Sequence, residues 1–245
     1  MKKQLRLRNL WVATSIALIL ALVISFLPAQ IQPVYAVSPN IVISQVYGGG
    51  GGSGYYLYDY VELFNLGGTA VDIGGWSVQY GSAAGNFGNS ASAIYAFPGA
   101  TIIQPGKYLF VQLGTAGTAG TAFPVTPDIT TTNLVMSQAS GKVALANIST
   151  VLGCGATATP CTLPDSRIVD SVSFGAANNG EGGTTVKNGS ALTNQQGGGR
   201  KLAGCQDTDN NNADFDVLSG SALLMRNSSS PTHTCSGPTS PSGVG

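Results

Sequence analysis

What most constrains the fold is the way the apolar residues are punctuated. They fall in short runs, several with strict alternation, and each run ends in Gly, Asn, Ser, Thr or Pro. Beyond residue 40 no segment keeps the three-and-four spacing of an amphipathic helix, so the runs read as strands and the chain as an all-β sandwich or barrel. Thirty-four glycines and 12 prolines supply the breaks, too irregularly spaced for collagen. Only 9% of residues are charged, which excludes a charged coiled coil, and a 43% hydrophobic content with zero net charge excludes a disordered chain.

The expected strands are Ile41 to Val46, Tyr60 to Asn65, Trp76 to Tyr80, Ala93 to Phe97, Lys107 to Leu113, Lys142 to Asn147, Ile168 to Phe174 and a short one at Ala222 to Met225. Alternation puts Val61 and Leu63 on one face of their strand and Tyr60, Glu62 and Phe64 on the other. Leu109, Val111 and Leu113 share a face, as do Trp76, Val78 and Tyr80. Gly114 to Pro127 reads as an exposed loop, and residues 175–200 as a nearly featureless Gly/Asn-rich stretch. There is no internal repeat.

Lys2, Lys3, Arg6 and Arg8 precede an apolar run from Trp11 to Leu27; Pro28 breaks it, and Val34-Tyr35-Ala36 offers a small-residue cleavage site. Residues 1–36 are therefore expected to be a signal peptide cut after Ala36. The competing reading, an uncleaved anchor, would need that run to span at the short limit. Residues 37–235 are expected to form one domain, secreted or at the cell surface with no membrane span after cleavage, and 236–245 a linker or tail. Without its basic start the chain is mildly acidic, a poor match to nucleic acid. The four cysteines, Cys154, Cys161, Cys205 and Cys235, suit two disulfides in an oxidising compartment. Of three pairings, Cys154–Cys161 and Cys205–Cys235 are favoured because each closes a polar, turn-rich loop. Loop entropy gives about 2.5 and about 3.7 kcal/mol for them.

Three segments, in order, carry a family resemblance. Glu62-Leu63-Phe64-Asn65-Leu66-Gly67-Gly68-Thr69-Ala70-Val71-Asp72-Ile73-Gly74-Gly75-Trp76 is an acidic strand ending in Asn, a glycine turn, a Val-Asp-aliphatic step and Gly-Trp. Phe97 to Tyr108 follows as a hairpin, and Ile168 to Phe174 with Arg200 to Phe215 closes the set. Together they resemble the lamin-tail domain in its secreted bacterial form, over about residues 40 to 227. The resemblance implies an immunoglobulin-like β-sandwich with long Gly/Asn/Thr-rich loops. It also implies a non-catalytic interaction or surface-tethering module. The alternative it leaves is the binding part of a secreted hydrolase or nuclease whose catalytic domain is not in this chain.

Read one by one, the residues give mostly structural roles. Trp76 is expected to anchor the core, with a ligand platform as the competing role. Asn65 and Asp72 flank glycine turns that their side chains can bond. Asp170 lies on an apolar strand face and requires a partner, either Arg200 or backbone donors. Asp207, Asp209, Asn211 and Asp214 begin like a calcium loop, but its sixth and twelfth positions are Asn212 and Leu218, so a run of Asx-turns is the favoured reading and no cofactor is expected. Tyr55, Tyr56 and Tyr58 are a candidate contact surface for a protein, a glycan or a cell-envelope component, or else they pack across the sandwich mouth. No catalytic set is evident. The only glutamates are Glu62 and Glu181, and the one histidine, His233, sits in what reads as a flexible tail.

Overall fold

A computed structural model describes residues 40–51 and 55–235. The leader at 1–36 and the tail at 236–245 lie outside the described residues. The strands are β1 (Ile41–Tyr47), β2 (Asp59–Asn65), β3 (Val71–Asp72), β4 (Ser77–Ser82), β5 (Ile94–Ala96), β6 (Ile102–Ile103), β7 (Tyr108–Leu113), β8 (Ile129–Thr130), β9 (Gly141–Ala146), β10 (Ile168–Phe174), β11 (Gln196–Arg200) and β12 (Phe215–Ser219). A one-turn helix, α1 (Asn211–Asp214), precedes the last strand. One sheet runs β12-β11-β1-β2-β7-β8 and the other β10-β9-β4-β5, with β3 and β6 paired as a small ribbon. Pairing is antiparallel except for β7 with β8.

The core lies between the two large sheets. Val61 and Leu63 of β2 and Leu109, Val111 and Leu113 of β7 meet Val78 of β4, Val143 and Leu145 of β9, and Val172 and Phe174 of β10. These are the residues that alternation points inward. The outward residues are covered too. Tyr60 and Phe110 lie under Leu223 and Met225, and Phe64 and Tyr108 lie beneath the Cys205–Cys235 link. On the other sheet, Ala144 and Ala146 are roofed by Phe87, Leu152 and Cys161. Both disulfides form with the favoured pairing, Cys154–Cys161 and Cys205–Cys235. Beneath the first loop, the buried Lys142 ammonium donates to the Gly155 carbonyl at 2.7 Å, and burial lowers its pKa to about 8.

Three expectations are corrected. Residues 175–200 are not featureless, because β11 lies there, between β12 and β1. Its glycines hide it from a propensity reading but permit close contact: a Cβ on Gly197 would lie 2.6 Å from the Val46 carbonyl oxygen. Ala222 to Met225 is not a strand. The last strand is β12, earlier in the chain, and a 3₁₀ turn at Gly220–Ala222 leads the following segment over the outer sheet face. The 114–127 loop is not wholly exposed, since Phe123 packs 5.0 Å from Phe110 and 5.3 Å from Tyr56, centroid to centroid.

Candidate functional site

The polar centre of the molecule is Arg200, at the end of β11. Its side chain is fully enclosed, and each of its five N–H donors has an acceptor. Nη2 forks onto Asp170 at 2.8 and 2.7 Å, crossing from one sheet to the other. Nη1 donates to Asp207 at 2.9 Å and to the Gln206 carbonyl at 3.1 Å, and Nε donates to the Ile43 carbonyl at 3.0 Å. The guanidinium also lies 4.6 Å from the Phe215 ring centre. Asp170 takes a further bond from the Ile43 N–H, at the bulge where the register of β1 shifts. Burial pushes the Asp170 carboxyl up to about 6, with Arg200 pulling the other way.

The Asp207 to Asp214 loop wraps this centre. Asp214 accepts from the Thr208 N–H at 2.8 Å and hydroxyl at 2.7 Å, and lies 3.7 Å from Arg200. Asn210 caps α1. Asn211 turns inward, accepting from the Ser173 N–H and donating to the Ser171 carbonyl and Glu181. Of the four residues considered for calcium, Asp207 and Asp214 therefore face Arg200, while Asn211 is bonded to Ser171, Ser173 and Glu181. Among the described residues no group of three or more His, Cys, Asp or Glu side chains is placed to hold a metal ion. Glu181 is buried, and both its oxygens are taken by Ser171 and Asn211. Burial, followed by the charge of Asp170, holds its pKa well above the usual carboxylate range. It braces β10 rather than presenting a carboxyl free to pass a proton.

Beside this loop a cleft of about 500 Å³ opens between Trp76, Leu163, Pro164, Val169, Glu181 and Asp209. Trp76 is not the core residue expected. β4 starts one residue later, and the turn that precedes it, with Gly75 at φ +81°, leaves the indole half-buried at the end of the sandwich. Trp76 packs against the core edge and also lines the cleft. The Asx geometry is as read: Asn65 accepts from the Gly67 N–H at 2.9 Å, and Asp72 from the Gly74 N–H at 2.8 Å. Residues 35–232 match the family model described as Lamin Tail Domain. The chain belongs to the lamin-tail domain family. Its architecture is the immunoglobulin-like sandwich of that family. The lamin-tail chain is also similar to the solved structure of a DUF4876 family protein from Bacteroides thetaiotaomicron. That match is 13% identical and covers 80% of this chain and 75% of the other, with a TM-score of 0.49. No curated protein matches.

The tyrosines divide. Tyr56 is buried, edge-on to Tyr47 at 6.0 Å and against Phe123, while Tyr55 and Tyr58 are half-buried around it. The trio is thus in part a seal across the sandwich end. Glu62 is enclosed on the outer sheet face, paired with Arg226 at 2.6 Å and accepting from Ser44 at 2.6 Å. Burial raises its pKa against the pull of Arg226. His233 is not in a free tail: its N–H donates to the Gly106 carbonyl at 2.9 Å, and its ring meets the Leu202 carbonyl and Phe64. Sequence reasoning missed Arg226 and Asp59. Asp59 accepts from the Gly50 and Met136 N–H groups at 2.8 Å each, and burial raises its carboxyl to about 7. Only its place beside an apolar strand hinted at this.

Proposed function

We infer that this lamin-tail domain works outside the cytoplasm as a non-catalytic interaction or surface-tethering module. The observation that carries the reading is the open cleft at Trp76, where an aromatic residue and carboxyl-bearing residues share a largely apolar wall. The only two glutamates of the sequence, Glu62 and Glu181, are bonded into the fold. Two cysteine pairs in a chain with a basic-apolar-small leader support export. Among the described residues no helix is long and apolar enough to cross a membrane. The exported protein is expected to begin at Val37 and to sediment with the cell-envelope fraction, and Trp76→Ala is expected to release it. A protein that stays in the supernatant with every envelope fraction, or that turns over an envelope polymer, would contradict the reading.

A further inference from the structure

Asp209 differs from the acids around it. It is only 8% exposed, yet its carboxylate makes no hydrogen bond or ion pair among the described residues. Among the described residues every fully enclosed side-chain nitrogen or oxygen has a partner, so the Asp209 oxygens keep some access to solvent, and Asp209 is one of the residues that line the Trp76 cleft. The surroundings are already negative: Asp170, Asp207 and Asp214 lie around Arg200, the one cation paired with them among the described residues, whose donors are all taken. Burial and the charges of Asp207 and Asp214 raise the Asp209 carboxyl to about 6, so it is largely ionised at neutral pH. Asp165, at the rim, is already paired with Arg167 at 2.6 Å.

Within the interaction-module reading, on which this step rests, we propose that the cleft receives one lysine or arginine side chain from a partner polypeptide, its cationic head between Asp209 and Trp76. The head answers an unpaired buried carboxylate, and the indole face attracts it further. The aliphatic stem suits the apolar wall of Leu163, Pro164 and Val169. A neutral sugar would use the indole and leave the surplus charge unanswered. A bare divalent ion would need several free oxygens, but Asp207 and Asp214 are engaged with Arg200 and Thr208.

In the full chain carrying Trp11→Phe, Trp76 is the only tryptophan, so its emission reports on the cleft. Blocked glycine pentapeptides with a central lysine or arginine should change that emission saturably, and added salt should weaken the effect. The central-glutamate peptide, a chitin tetrasaccharide and calcium chloride should not change it. Asp209→Asn should weaken peptide binding about tenfold or more, while Asp216→Asn, at an exposed carboxylate, should leave it intact. A melting curve checks folding, with Asp209→Ser as the second variant. Response to the sugar or to calcium alone, equal affinity in the folded Asp209 variants, or no response to the basic peptides would each overturn the proposal. Failure of the peptides with envelope sedimentation intact removes this ligand and leaves the module reading standing. Peptide binding without sedimentation does the reverse.

Discussion

The molecule contains two arginines buried against carboxylates, and they are built on opposite principles. Arg226 meets one acid, Glu62, and keeps part of its side chain in solvent, 23% exposed. It stacks 4.0 Å over the Tyr108 ring and pins the 220–235 segment to the outer face of the six-stranded sheet. Arg200 is wholly enclosed between the sheets and is shared by Asp170, Asp207 and Asp214. The first site is balanced one to one. The second has more acid than base, and the excess emerges at the cleft as Asp209. A balanced pair does no more than fix a segment, whereas an unbalanced one fixes the sheets and also leaves a potential at the surface.

The sharpest way to break the contrast is to remove each cation. Arg200→Met should cost about 5 kcal/mol or more, because it strands several buried carboxylates, and Arg226→Met about 3 kcal/mol. Urea melts measure both, and a larger loss at Arg226 would invert the ranking. Pairing each change with removal of its acid sharpens the test. Arg226→Met with Glu62→Met should recover most of the loss. Arg200→Met with Asp170→Leu should not, since Asp207 and Asp214 remain.

Next comes the pH response. The folded-state pKa is raised to about 7 at Asp59 and to about 6 at Asp170 and Asp209. The folded chain therefore binds more protons than the unfolded chain between about pH 4 and 7. Stability is full below that window and falls as pH rises through it, by at most about 1.4 kcal/mol per unit for each group. Melting temperatures taken across this range should decline and then level off, and Asp59→Asn should remove the portion nearest pH 7. Stability that instead rises with pH would mean Arg200 outweighs burial. The smallest effect belongs to the cleft wall: Trp76→Ala should cost about 1–2 kcal/mol, below the about 3–5 of an enclosed aromatic, because part of the residue is already open to solvent.

The strands with alternating Val, Leu and Phe were legible, as were both disulfides and the bond from Asp170 to Arg200, because each follows from local pattern or from the need of a buried charge for a partner. β11 was not, since three glycines carry no strand signature and only their close contacts with Val46 and Leu218 explain them. Trp76 was misplaced because alternation fixes the face of a residue but not whether a facing strand reaches that far. The cleft was invisible for a related reason. Trp76, Leu163 and Asp209 are far apart in sequence and meet only once both sheets and the acidic loop are in place.

The Cys205–Cys235 link has a mechanical consequence. Tension applied between Asn40 and Cys235 enters the domain at one end through β1, which is held along both edges by β11 and β2. At the other end it passes across the sulfur bridge directly to Cys205, skipping the 30-residue separation in between. The segment that covers Glu62, the acidic loop and the Asp209 wall all lie inside that bypass, so they carry no load while the bridge is intact. Reduction would put them in series with the pull and add about 100 Å of extensible chain. A domain that anchors something under shear would thereby keep the Asp209 side of its cleft unloaded until the strands themselves part.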